Sequence, residues 1–572
     1  MTTNEQTGNS AGCVLSFDLV DNKWLPVQLL DGSETLLSLR EIFARAGGIR
    51  RLAGDVPTQD FALVRLLLAV LHDALEGPQD LDDWAELWES EEPFTPVPGY
   101  LDQHRERFDL LHPATPFFQT RGLRTAKGEV FPLNRIIADV PNGELFFTMR
   151  AHGAERISFA EAARWVVHAQ AYDTSGIKTG VVGDNRAKAG KAYPQGVAWS
   201  GSIGGVLAEG QTLRETLLLN LIAAEDSPVA ADPHDRPAWR SEPAQPGTAH
   251  DLEQRPYGVR DLYTWQSRRL LLHADADGVH GVVLTYGDPL APRNMHGREP
   301  MSGWRRSQTQ EKKHKQALVY MPCEHDPSRA AWRGLAALIA PRDQNTAPRG
   351  EPPSQLRAGL VSWLARLSTE RVLPARTLIR VRTYGAVYGT QQSVIDEITE
   401  DAVTMSVVLL SESDRDLGQC AIDAVSDAEA AVTALGVLAA DLAQAGGSHP
   451  EAPKNTARDR GFGALDAPYR SWLAALRAGD DPRQARAAWQ HTVRRSVGQA
   501  GAAFVGEAGE AAWQGRVIDH ATGRRWLNAA SADLRFRARL NERLPLASSS
   551  APAPSASQPP EATGSRPKKV ST

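Results

Sequence analysis

Two adjacent glutamines carry the most specific chemistry in this chain. In Tyr388-Gly389-Thr390-Gln391-Gln392-Ser393-Val394-Ile395-Asp396-Glu397, each side-chain amide offers two donors and an acceptor on a short uncharged arm. A neutral amide enters a nucleic-acid groove without the desolvation cost of a charge, and glutamine suits hydrogen bonding to base edges. Thr390 and Ser393 keep the flanks small and polar. The run Leu378-Ile379-Arg380-Val381-Arg382-Thr383-Tyr384 just upstream reads as a strand. A strand therefore delivers the tip, and Gly389 is expected to permit a tight or left-handed turn there. The plain alternative is a β-turn with solvated side chains.

Three basic regions accompany that tip. Ser175-Gly176-Ile177-Lys178-Thr179-Gly180 continues through Val181-Val182-Gly183-Asp184-Asn185-Arg186, with Lys188, Gly190 and Lys191 behind. It lacks the glycine before the lysine and the spacing of a phosphate-cradling loop, so nucleotide hydrolysis is not expected. A glycine-rich basic loop still brings backbone groups to a groove wall while its cations meet phosphates; a flexible surface loop is the alternative. Arg293, Arg298, Arg305 and Arg306 lead into Lys312, Lys313 and Lys315, either a solvated face or a set of phosphate contacts. In the C-terminal region arginine dominates the polar helix faces. Arg494, Arg495, Arg535 and Arg537 are the chosen phosphate contacts, although some of these arginines are expected to salt-bridge acids on the same helices.

Catalytic signatures are weak. His72-Asp73 and His325-Asp326 are isolated His-Asp pairs, whereas a metal-dependent nuclease of that type needs further ligands converging on the metal. No HExxH, G-x-S-x-G or nucleophile-base pair stands out. Asp275-Ala276-Asp277-Gly278 lacks the ligands of a calcium loop. Binding without a cofactor or metal is the expected class, against a nucleic-acid hydrolase or a purely structural role.

The elements that hold these residues follow from local signals. Val14–Val20 and Trp24–Leu30 read as strands about an Asp21-Asn22-Lys23 turn, and Ser38 with Glu41 forms a capping box for a helix to Ala46. Phe61–Leu75 carries a helical apolar stripe; Asp80–Glu92 reads as a solvated loop or helix face. Ser158 with Glu161, and Thr212 with Glu215, cap two more helices. Ser227–Glu253 reads as an exposed insertion. Leu270–His273 and Val279–Tyr286 pair about Asp277-Gly278. Helices are expected from Ser426 to Ala445, Leu465 to Arg477, Pro482 to Gly498 or beyond, and Arg524 to Arg543, with spacing that suits an antiparallel bundle.

The 572 residues suffice for two or more cooperative units. A net charge of -6 argues against wholesale coating of nucleic acid, so contact must be local. Cys13, Cys323 and Cys420 stand far apart and give no disulfide framework, which suits a reducing cytoplasm. No apolar run reaches the roughly 18 residues of a membrane span. The expected class is α+β: a disordered start (1–12), a large mixed domain (13–415), a four-helix bundle (420–545) and a disordered tail (546–572).

Three segments, Phe17-Asp18-Leu19-Val20-Asp21-Asn22-Lys23-Trp24-Leu25-Pro26-Val27, Ser38-Leu39-Arg40-Glu41-Ile42 and His112-Pro113-Ala114-Thr115-Pro116-Phe117-Phe118-Gln119-Thr120, occur in that order, followed by Gly258-Val259-Arg260-Asp261-Leu262-Tyr263-Thr264-Trp265-Gln266. In order and spacing, over roughly residues 15 to 540, this resembles the CasA-type large subunit of the type I-E CRISPR surveillance complex, Cascade. The resemblance implies a glutamine wedge at Gly389–Ser393 and a glycine loop at Ser175–Gly180 touching the protospacer-adjacent motif from the minor groove. It also implies a lysine inserted beside that motif, with Lys313 chosen over Lys312 and Lys315. It further implies a loop near Phe146-Phe147 docking by the guide RNA's 5′ handle. The implied partners are double-stranded target DNA, the backbone, handle-binding and small subunits that hold the CRISPR RNA, and a helicase-nuclease. A scaffold that does not itself read DNA is the alternative.

Overall fold

An eighteen-residue helix, Pro57–Ala74, forms the centre of the first unit. Proline at its first position presets φ and lacks an N–H that would find no partner there. The apolar stripe expected of it understates its burial, because Arg65, His72 and Asp73 are enclosed with the leucines. Arg65 is tolerated because it donates to both oxygens of buried Glu299, at 3.0 and 2.9 Å, and its guanidinium lies 4.3 Å from the Tyr263 ring centroid.

The computed structural model describes residues 15–138, 155–225, 232–339, 352–520 and 523–548. It divides into two units, Met1–Val425 with Tyr469–Asp480, and Ser426–Pro468 with Asp481–Thr572. The expected disordered start, the Phe146-Phe147 loop and the tail beyond 548 lie outside the described residues.

In the first unit, β1 (Leu25–Leu29) pairs antiparallel with β2 (Glu34–Leu37) and β3 (Ile49–Leu52). The expected hairpin about Asp21–Lys23 does not form. Residues 17–19 pair instead with a distant segment: Leu19 N–H bonds Phe108 O at 2.9 Å and Phe17 N–H bonds the Asp109 carboxylate at 2.8 Å. The true turn holds Asp31-Gly32, with Gly32 at φ +87°. The Ser38/Glu41 capping box opens the helix Leu39–Ala44, and Asp80 caps a helix, Leu81–Glu89, in the acidic stretch. The Ser158 and Thr212 caps start Phe159–Tyr172 and Leu213–Asn220.

Short strands β4 (Lys178–Thr179) and β5 (Lys191–Ala192) form a hairpin. β6 (Gly205–Glu209) follows, then the expected hairpin of β7 (Arg268–Asp275) and β8 (Gly278–Tyr286). β9 (Trp304–Arg306), β10 (Tyr320–Pro322) and β11 (Gln355–Leu356) make a sheet of order β10-β9-β11. The longest strands, β12 (Leu378–Tyr388) and β13 (Ile395–Ser406), complete a sheet of order β13-β12-β6. Arg382 on β12 bonds Glu209 on β6 at 2.6 Å, and Arg50 on β3 reaches the same carboxylate at 2.6 Å. The sheet is thus pinned across its strands where β12 begins its run to the tip.

The C-terminal region is helical, with Arg415–Gly446, Glu451–Ala475, Pro482–Gly506 and Ala529–Arg543 as its long helices. The first starts eleven residues before the expected Ser426 cap. Leu417, Cys420, Ala421 and Ala424 already repeat at helical spacing and are buried. The last starts at Ala529 rather than Arg524, because β14 (Arg516–His520) and β15 (Gly523–Leu527) pair as a hairpin and Asn528 caps the helix after them.

Candidate nucleic-acid interface

The register of β12 on β13 shifts at Val387/Tyr388, just below the tip. Of the tight or left-handed turn expected at Gly389, the tight turn forms, over Thr390–Gln392, while Gly389 itself sits at φ -72°, ψ -155°. A Cβ there would meet the carboxylate of exposed Asp396, which would have to swing aside. The left-handed residues are Gln391 (φ 55°) and Gln392 (φ 56°) themselves, each at a cost of about 1 kcal/mol for an L-residue.

Surrounding bonds hold that conformation. Gly389 N–H bonds Val394 O at 3.1 Å, Gln392 N–H bonds Gly389 O at 2.8 Å and Ser393 Oγ donates to Thr390 O at 2.8 Å. Thr390, Gln391, Gln392 and Ser393 are exposed. The tip therefore stands in solvent with both amides outside the core.

The glycine loop meets this tip directly. Ser175 N–H bonds Gln392 O at 2.7 Å, and Gly176 (φ +99°) packs so closely that an added Cβ would lie 3.2 Å from Ser393 Cβ. Tyr286 donates its hydroxyl proton to Gly176 O at 2.5 Å, fixing the loop from β8.

Lys178 overturns its expected role. It is 8% exposed, its ammonium lies 2.6 Å from buried Asp173, and Arg268 bonds the same carboxylate. An ammonium enclosed beside a buried carboxylate does not face a phosphate in solvent. Burial pushes Lys178 down to about 8. Burial alone would raise the Asp173 carboxyl, but Lys178 and Arg268 hold it below the usual carboxylate range.

Thr179 and Gly180 continue the strand edge, with Gly180 N–H on Gly190 O at 2.9 Å. The exposed cations of the loop are Lys188 and Lys191, which bond each other's backbone at 2.9 and 3.0 Å across the Ala189-Gly190 turn. Arg186 is absorbed by Asp184 and by the carbonyls of Tyr286 and Gly287.

The third basic region forms a short helix, Gln308–His314, capped by Ser307. Lys312, Lys313 and Lys315 are exposed at its C-terminal end, where the helix dipole favours cations. Arg306 is bound to Glu311 at 2.7 Å. A bridge between Gly205 and Ser302, with Val206 N–H on Met301 O at 2.9 Å, hangs this segment from the sheet that carries the glutamine tip.

Of the C-terminal arginines, Arg495 is exposed and Arg494 half-buried. Arg537 is exposed but pairs with Asp533 one turn away at 2.9 Å. Arg535, expected on the outer face, turns toward buried Asp441 at 3.2 Å; an attraction between helices that sequence spacing does not reveal draws it inward.

The His-Asp pairs serve packing. Burial pushes His72 down to about 3, and Asp73 accepts from Tyr100 at 2.5 Å and Arg240 at 3.0 Å. His325 Nε2 lies 2.9 Å from Gly205 O. Among the described residues no group of three or more His, Cys, Asp and Glu side chains gathers to hold a metal, and no helix is long and apolar enough to cross a membrane.

Residues 18–500 match the family model described as CRISPR-associated protein Cse1. The solved structure of Thermobifida fusca Cse1 is 58% identical, covering 93% of this chain and 98% of that one with a TM-score of 0.86. Cse1 from Acidimicrobium ferrooxidans is 30% identical over the same shares, with a TM-score of 0.78. CasA/Cse1 of Thermus thermophilus is 30% identical over 336 residues, 57% of this chain and 61% of that relative, so the alignment spans about three-fifths of its length. Fold and site thus define a CRISPR-associated protein that presents a neutral tip among basic loops. The chain belongs to the Cse1 family, the CasA-type large subunit of Cascade.

Proposed function

We propose that this chain is a non-catalytic DNA-recognition subunit that reads the protospacer-adjacent motif in duplex DNA and starts strand opening with Gln391 and Gln392. The observation that carries the reading is the Ser175–Gln392 hydrogen bond. It ties the tip to the glycine loop, so that a loop seated in the minor groove sets the depth of the glutamine pair. The minor groove offers a degenerate pattern, so a reader made of backbone, one lysine (Lys313) and small polar groups accepts several related motifs. Opening the first base pair costs a few kcal/mol, which the motif contacts offset. Guide RNA held by the backbone, handle-binding and small subunits then reads the rest by pairing.

In this reading residues 13–415 read the motif. The C-terminal region, 420–545, forms an antiparallel four-helix bundle that guides DNA strands, with Arg494 and Arg495 toward phosphates, and meets the small-subunit pair. The N-terminal domain recruits the helicase-nuclease, and the whole works in the cytoplasm.

The test is binding of motif-bearing and motif-scrambled duplexes by the assembled complex, with and without this subunit. The account expects at least a tenfold preference for the motif that vanishes without the chain. Equal binding of both duplexes by the complete complex would instead mark it as a scaffold.

A further inference from the structure

The β4–β5 hairpin holds two large apolar side chains in solvent: Ile177 is 55% exposed and Tyr193 52%. The register pairs Lys178 with Ala192 and Thr179 with Lys191, so Ile177 and Tyr193 stand at the next positions outward on the two arms. Side chains alternate across a strand, and Lys178 and Ala192 are the ones turned inward. Ile177, Tyr193 and exposed Lys191 therefore share the outer face. Both arms are held. On one, Tyr286 donates to Gly176 O at 2.5 Å and Ser175 N–H bonds Gln392 O at 2.7 Å. On the other, Arg186 donates to Gln195 Oε1 at 3.1 Å and Arg268 to Gly196 O at 3.1 Å. Pro194 further restricts the backbone of Tyr193 toward extended conformations. The ring thus stands on a fixed base beside the glutamine tip, since Gly176, which precedes Ile177, is the residue packed against Ser393.

We propose that Tyr193, with Ile177 beside it, is the platform on which the unpaired base of the displaced strand stacks once Gln391 and Gln392 have parted the first pair. The inference rests on the strand-opening role proposed above and adds its ligand, a nucleobase offering its π-face, with the attached phosphate toward Lys191 and Lys188. When the target strand pairs with guide RNA, the opposite base loses its partner and its neighbour's stacking together. The amides of the tip part a pair but offer little apolar face to retain what they release. An exposed aromatic ring among cations takes unpaired bases with little regard to sequence, because every base has a π-face. Tyr193 therefore slows reclosure without narrowing the choice of target.

The test uses the assembled complex and a motif-bearing duplex whose first pair is a mismatch, open from the start, with either a base or an abasic sugar at that position on the displaced strand. With the wild-type chain the base-bearing duplex should bind about tenfold tighter than the abasic one. Tyr193→Ser should bind both alike, at the abasic level, while Tyr193→Trp keeps the preference. A wild-type chain indifferent to the base, or a Tyr193→Ser chain that still prefers it, overturns the platform. Gln391→Ala with Gln392→Ala should keep the base preference on this substrate, because no pair remains to be parted. Tyr193→Ser should in turn keep the preference for motif-bearing over scrambled duplex, so failure here is distinguishable from failure of motif reading or of the wedge. Loss of that motif preference in Tyr193→Ser would place the ring on the motif itself and overturn the proposal.

Discussion

Lys178→Met separates a cation that meets DNA from one that props the loop that does. Its proton affinity falls from 10.5 to about 8 inside the protein, so keeping the ammonium charged there costs about 3 kcal/mol at 1.4 kcal/mol per unit. Deleting the charge removes that cost and the contact with Asp173, which retains Arg268. The expected net change at pH 7 is within about 2 kcal/mol. The sign with pH is fixed by the depressed value: between about 8 and 10.5 the unfolded chain binds more protons at this lysine than the folded one, so wild-type stability rises with pH there. Urea denaturation at stepped pH should show the wild type gaining about 1 kcal/mol per unit over Lys178→Met in that window. In DNA binding, the slope of log affinity against log salt should be unchanged by Lys178→Met but shallower by about one in Lys188→Gln and in Lys191→Gln. A slope reduced by Lys178→Met as much as by Lys188→Gln would refute the buried-strut reasoning.

Two further outcomes follow from buried and strained groups. His168, pushed down to about 4 by burial, stays neutral in the fold while the unfolded imidazole charges near 6.5, so its share of stability is lost as pH falls. Between pH 6.5 and 5, His168→Gln should lose about 2 kcal/mol less than the wild type in chemical denaturation; parallel curves would show that the imidazole titrates normally. At the tip, Gln391→Gly with Gln392→Gly should be more stable than the double alanine variant by about 1–2 kcal/mol, because only glycine is relaxed in the left-handed region. Equal stabilities would mean that the tip is not held left-handed.

Local signals were legible and long-range ones were not. The Ser38, Ser158 and Thr212 caps and the Asp277-Gly278 hairpin depend on residues a few positions apart, and each element forms where its signal lies. Val14–Val20 reads as half of a hairpin, but residues 17–19 pair about ninety residues away with Phe108–Leu110. Arginine spacing around Arg524 suited a helix, while the cross-strand pair Val517 and Trp526 favours the β14–β15 hairpin. The glutamine tip was readable because strand, glycine and amides are contiguous. Its bond to Ser175 was not, since those residues lie more than two hundred positions apart. Nor does sequence say which way a lysine on a two-residue strand points, and the inward turn of Lys178 depends on Asp173 and Arg268 from other elements.

The central claim is that a neutral pair of amides, held proud of a pinned sheet, parts the first base pair. The most direct measurement is stopped-flow fluorescence of 2-aminopurine placed beside the motif, in the complex carrying wild-type chain or Gln391→Ala with Gln392→Ala. The account predicts unchanged binding of the motif duplex and opening slower by about tenfold or more, the equivalent of at least 1.4 kcal/mol on the barrier. Opening at the wild-type rate would contradict it.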